Sequence, residues 1–129
     1  MSSDQLPTAA GCSLHYAGED WDVIRVPHSV GLGAMAILGA RGGAIVEDPL
    51  SAIVYYFVPR GTSSDWDVVD TRALGTGASV AIPPARCTRG ASPRWRVCPG
   101  DDGWLTDPDA LRAAIEDARG HQSESEESA

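Results

Sequence analysis

Seven consecutive residues in the middle of the chain, Ala52-Ile53-Val54-Tyr55-Tyr56-Phe57-Val58, are apolar or aromatic without a break. Successive residues of a strand point to opposite faces. A strand with no polar alternation therefore has to be covered on both sides. This places it inside a sheet with a layer on each face. Pro59-Arg60-Gly61 ends it. The chain of 129 residues is long enough for one such domain, and half of it would have a poor core.

The flanking segments supply the rest of that domain. Trp21 to Val26 carries β-formers and stops at Pro27, predicting a strand. Ser29 is placed to cap a helix in which Val30, Ala34, Ile37, Leu38 and Arg41 share a face, with Gly42-Gly43 as its stop. Ala44 to Val46 reads as a short strand. Val68 to Leu74 and Ser79 to Ile82 read as two more, joined by a tight turn at Gly75-Thr76-Gly77. Pro83-Pro84, which offers no backbone donor, stops the second of these. Arg94 to Val97 predicts the last strand. Thr106-Asp107-Pro108-Asp109 is a helix start, and Leu111, Ala114, Ile115 and Ala118 form one apolar stripe that Gly120 terminates. The expected fold class is α/β or α+β: a single mixed sheet of about five or six strands with one or two helices packed on it. Residues 1–10 and the acidic stretch 120–129, with Glu124, Glu126 and Glu127, are expected to be disordered. Residues 11–119 form the folded unit.

Charge limits the partners. The net charge is −8, and all ten positive charges are arginines. Phosphate backbones reward basic surfaces, so a general polyanion binder is disfavoured. The total hides a division, however. Residues 71–100 hold Arg72, Arg86, Arg89, Arg94 and Arg96 and no acid, which makes that window +5 and the remainder −13. No apolar run approaches the roughly 20 residues of a membrane span, and the first residues lack the basic flank and apolar run of a signal peptide. The expectation is a cytoplasmic protein without a membrane partner.

Few residues form a pattern specific to one chemistry. Cys12 and His15 have ligand spacing, but their partners would be Cys87 and Cys98, which have ten residues between them and form no second short-spaced pair, so structural zinc is weakly supported. His28 at a strand-to-helix junction could act as a base or simply as a loop or capping group. Ser29 has no nucleophile elbow. Glu47-Asp48-Pro49 reads as a solvated turn. Gly75-Thr76-Gly77 lacks the remainder of a phosphate-binding loop. The stretch from Arg86 to Arg96 is the strongest binding candidate. Arg86, Arg89, Arg94 and Arg96 with Trp95 combine guanidinium groups and an aromatic ring, which suits phosphate contact and base stacking. The competing expectation is that Arg94 and Arg96 form the wet side of a strand whose Trp95 and Val97 face the core.

Several of these segments together resemble the N-terminal domain of bifunctional DNA primase/polymerases, the prim-pol family. Gly75-Thr76-Gly77-Ala78-Ser79-Val80-Ala81-Ile82-Pro83-Pro84, followed by Gly90 and Trp95, is similar to its glycine turn, strand, Pro-Pro stop and aromatic strand. Val54 to Gly61 resembles its His-Leu-Tyr-Phe-x-x-Pro-x-Gly strand, and Tyr16-Ala17 with Trp21 to Pro27 its opening. The resemblance implies a prim-pol-like fold over most of residues 14–97. Active members hold two divalent metals with an Asp-x-Asp or Asp-x-Glu pair and a later aspartate beside a histidine. Here the histidine falls on Val54 and the later aspartate on Arg72, and no acid lies between Ala34 and Val46. The resemblance thus implies a shortened relative without catalysis or cofactor, a binding or regulatory module for nucleic acid or a phosphate-bearing ligand through residues 86–96. One alternative is a protein-interaction module anchored by Trp66 or Trp104. Another is a residual metal-dependent nucleotidyltransferase, with a divalent cation held by Asp65, Asp67 and Asp70; Asp65-x-Asp67 has the spacing that puts two carboxylates on one strand face.

Overall fold

The apolar run forms β4 (Ile53–Val58), the middle strand of a five-stranded sheet. The structure is a computed structural model, and it describes residues 13–82, 94–97 and 105–128. In chain order the other elements are β1 (Ser13–Tyr16), β2 (Asp22–Pro27), α1 (His28–Leu38), β3 (Ile45–Asp48), β5 (Arg72–Leu74), β6 (Ser79–Ile82), β7 (Arg94–Val97) and α2 (Pro108–Ser128). The sheet order is β5-β2-β4-β3-β7, with every pairing antiparallel, and β1 and β6 form a separate two-stranded ribbon. The α+β class expected from the sequence is the one observed.

Both faces of β4 are covered, as its composition requires. On one side Val54, Tyr56 and Val58 join Ile24, Val26 and Ile45 beneath the two helices, against Val30, Ala34 and Leu38 of α1 and Leu111, Ala114 and Ile115 of α2. On the other, Phe57 packs with Val23, Val46 and Trp95, and the ribbon adds Val80 and Ile82. α1 lies close enough to the sheet that a Cβ on Gly31 would come within 2.8 Å of Val54 Cβ. Tyr56 secures the same contact by donating its hydroxyl to the Gly31 carbonyl at 2.5 Å.

Several boundaries differ from those read in the sequence. β2 runs straight into α1 with no loop, so the cap position is Pro27 and Ser29 lies inside the helix. The His28 amide is satisfied instead by the Ala52 carbonyl at 2.9 Å. The buried arc of α1 is centred between Gly31 and Ala34, which leaves Ile37 at its margin and exposed, and Arg41 exposed beyond it. The segment expected as a strand from Val68 is one only at Arg72–Leu74, because Val68 to Thr71 forms a turn with Asp70 at φ 65°. Gly75 to Ala78 is a β-turn closed by a 3.0 Å bond from the Ala78 amide to the Gly75 carbonyl. Its third residue, Gly77, has the positive φ that a type II turn demands (96°). It is not a hairpin turn, since β5 and β6 belong to different sheets.

Asp107 caps α2, its Oδ2 accepting the Ala110 amide at 3.0 Å. Thr106 before it is fully buried; its amide donates to the Phe57 carbonyl at 2.8 Å and its Oγ1 accepts the Gly43 amide at 2.8 Å. At its far end α2 does not stop at Gly120 but continues to Ser128, through residues expected to be disordered. One interior glycine costs only about 1 kcal/mol relative to alanine, and the glutamates and glutamine that follow favour the helix.

Candidate functional site

Glu47 is a buried carboxylate of the sheet that engages two side chains from other elements. Its position two residues after Ile45 turns it to the helix side, where it pairs with Val54 and is 4% exposed. His28, the first residue of α1, brings Nε2 to 2.6 Å from Oε2. Arg94 of β7, its partner in the ladder, donates Nε to Oε1 at 3.3 Å. Burial by itself raises the Glu47 pKa; the His28 hydrogen bond and the Arg94 charge outweigh it, so the carboxyl titrates below its ordinary value. An ionised carboxylate only accepts hydrogen bonds, so Nε2 of His28 carries the proton. Both carboxylate oxygens are thus occupied by cationic or N–H donors. Chemically the trio is a neutralised ion cluster that locks the start of α1 to the β3–β7 edge. The expected solvated turn at Glu47-Asp48 is a buried strand; the alternation of Ile45 and Glu47 on one face was the signal for it.

The arginine-rich stretch is only partly on view, because Arg86 and Arg89 lie outside the described residues. Trp95 is 3% exposed and packs against Phe57, ring centroids 6.0 Å apart, so this ring is core and offers no face for a base. Arg94 serves Glu47. The β3–β7 ladder shifts register between Ile45 and Val46, whose partners are Val97 and Trp95. Arg96 is the extra residue of this bulge, and it is exposed. The same shift brings Val97 to the outside instead of the core. Arg96 has no ion pair among the described residues.

The three aspartates of the metal alternative are not gathered. Asp65 and Asp67 stand in irregular backbone after a 3₁₀ turn, so the strand spacing that would align them does not apply. Asp67 accepts Arg112 Nη1 at 2.5 Å and Asp70 accepts Arg119 Nη2 at 3.0 Å, tying both to α2. Asp70, in its turn, shares no strand face with Arg72. Among the described residues no three His, Cys, Asp or Glu side chains are placed to hold a metal ion. The two positions that the sequence resemblance sets against a histidine and an aspartate point to opposite faces of the sheet: Val54 into the helix-side core, Arg72 outward beside Arg25. His15 lies on β1, while Cys12, Cys87 and Cys98 fall outside the described residues, as does Trp104. Trp66 is covered by Arg112, 5.3 Å above its ring, and donates Nε1 to Thr71 Oγ1 at 2.7 Å.

Two surfaces remain. Arg25 and Arg72 are directly paired across β2 and β5, both exposed, and neither has a hydrogen bond or ion pair among the described residues. Sequence reasoning passed over Arg25, although it is the single polar residue of the Val23–Val26 run. The second is a cleft of about 550 Å³ lined by His15, Tyr16, Glu19, Asp20, Trp21, Ile82 and Leu105.

Compared with family models, curated proteins and solved structures, the chain matches none.

Among the described residues no helix is long and apolar enough to cross a membrane.

Proposed function

We propose that this chain is a non-catalytic, primase/polymerase-like binding module of the cytoplasm that contacts a phosphate-bearing ligand or nucleic acid through the outward arginines of its sheet. One observation carries the reading: Arg25, Arg72 and Arg96 are all exposed and have no acidic partner among the described residues. Exposed guanidinium groups without internal partners are available to phosphate oxygens, and their planar fork suits that geometry. The acids point the other way in chemical terms. Glu47, Asp67 and Asp70 are each engaged by an arginine, whose positive charge opposes a metal cation at the same carboxylate. The basic window 86–96 contributes Arg96, on β7 at the opposite edge of the sheet from Arg72, with Arg94 spent on the fold. Salt-dependent anisotropy of a labelled single-stranded oligonucleotide tests the reading. The logarithm of affinity should fall linearly with the logarithm of salt, and Arg96→Ala should reduce the slope by about one. A flat response, or primer extension abolished by Asp70→Ala, contradicts it.

A second reading rests on the cleft beside β1. Tyr16 and Leu105 are exposed there at 58% and 45%, and aromatic residues at a partly apolar concavity suit a protein partner. Co-purification from extract that survives nuclease favours this reading; loss on nuclease treatment favours the first.

A further inference from the structure

We infer that the cavity bounded by β2, β5 and the β3–β4 turn is a binding site for a phosphomonoester dianion, held between Arg25 and Arg72. The inference rests on the phosphate-binding reading and gives it a place and a ligand class. The cavity measures about 290 Å³ and is lined by Arg25, Pro27, Ala52, Ile53, Thr71 and Arg72, with Asp70 on its wall. Residues paired directly across an antiparallel ladder project from the same face. Two like charges so placed repel each other, and neither arginine makes an ion pair among the described residues. A bound anion would remove that repulsion. A dianion matches two cations, whereas a single carboxylate leaves one uncompensated. The one acid of the wall, Asp70, is turned to Arg119 at 3.0 Å and is already neutralised.

The backbone points to the same place. Ala52 and Asp70 are the two non-glycine residues with positive φ among the described residues, at 59° and 65°, and both line this cavity. Left-handed backbone at an alanine is uncommon and collects at ligand sites. Apolar Pro27 and Ile53 give the pocket a dry side against which the ligand's organic part can rest. The phosphate could belong to a small nucleotide or to the 5′ end of a nucleic acid; the recognition chemistry is shared.

Calorimetric titration of the full chain with inorganic phosphate, a nucleoside 5′-monophosphate, and 5′-phosphorylated and 5′-hydroxyl forms of one oligonucleotide tests this. Inorganic phosphate should bind wild type, and Arg25→Gln and Arg72→Gln should each weaken it by about tenfold or more, the loss of a charge-assisted contact. Both variants should unfold at a temperature no lower than wild type, since each relieves the repulsion. Arg41→Ala, at an exposed arginine outside the cavity lining, should bind phosphate as wild type does. Stronger binding of the monophosphate than of inorganic phosphate marks a small-molecule ligand; a preference for the 5′-phosphorylated oligonucleotide over its hydroxyl form marks a strand end. Absence of phosphate binding, or equal binding by the Gln variants, overturns the site. If the site fails while oligonucleotides still bind in a salt-dependent way, the broader reading stands alone. If phosphate binds and oligonucleotides do not, nucleic acid is removed as the partner and the site stands.

Discussion

Arg94 lies opposite Glu47 in the β3–β7 ladder and donates Nε to its carboxylate at 3.3 Å. With His28 on the other oxygen, this pairing turns a charged residue of an arginine-rich stretch into a strut between the sheet edge and the start of α1. It divides the basic block by role: Arg94 inward to the fold, Arg96 outward to solvent.

Removing the charge of Glu47 should therefore cost stability. Glu47→Gln keeps the volume but leaves two donors facing a neutral amide, a loss of about 1–3 kcal/mol at neutral pH. Because the folded pKa lies below the ordinary 4.5, this contribution is complete above that value and disappears as pH falls through the folded pKa. Urea unfolding at neutral pH and below pH 4.5 should show a gap between wild type and variant that closes on acidification. A gap of constant size contradicts the assignment.

α1 approaches β4 at Gly31. A methyl group there would meet Val54 Cβ at 2.8 Å, a separation that real side chains do not tolerate in a packed core. Gly31→Ala should destabilise by about 1–3 kcal/mol, in spite of alanine's better helix propensity. Adding Val54→Ala keeps the Cβ but removes the two γ-methyls, which would lie 3.0 and 3.3 Å from the new methyl, and should recover part of the loss, giving a coupling of about 0.5 kcal/mol or more in a double-mutant cycle of chemical denaturation.

Tyr56 makes a buried hydrogen bond to the Gly31 carbonyl at the same contact. Tyr56→Phe should lose about 0.5–1.5 kcal/mol. Burial also pushes the phenol well above its usual range. In an alkaline absorbance titration of the folded protein, Tyr56 should resist ionisation until the chain unfolds, and the variant should lack that late step.

The central architecture was legible because β4 announces itself: only a strand covered on both faces suits Ile53 to Val58, and both clusters follow from it. Asp107 and Pro108 likewise marked the start of α2. What local sequence could not convey was pairing. Strict alternation predicts an exposed Arg96 but a buried Val97; the β3–β7 bulge exposes both. Trp95 beside four arginines suggests a stacking platform until Phe57 is found against it. Glu47 looked like part of a polar turn because its partners, His28 and Arg94, are 19 and 47 residues away. Arg25 and Arg72 became neighbours only through a ladder joining distant segments.

The claim that this sheet binds phosphate without metal chemistry is tested most directly by one comparison. Anisotropy of a 5′-phosphorylated single strand is followed across a salt series, once with chelator and once with manganese. The account predicts binding that weakens steadily with salt and is the same in both series. Binding that appears only with manganese, or that ignores salt, would contradict it.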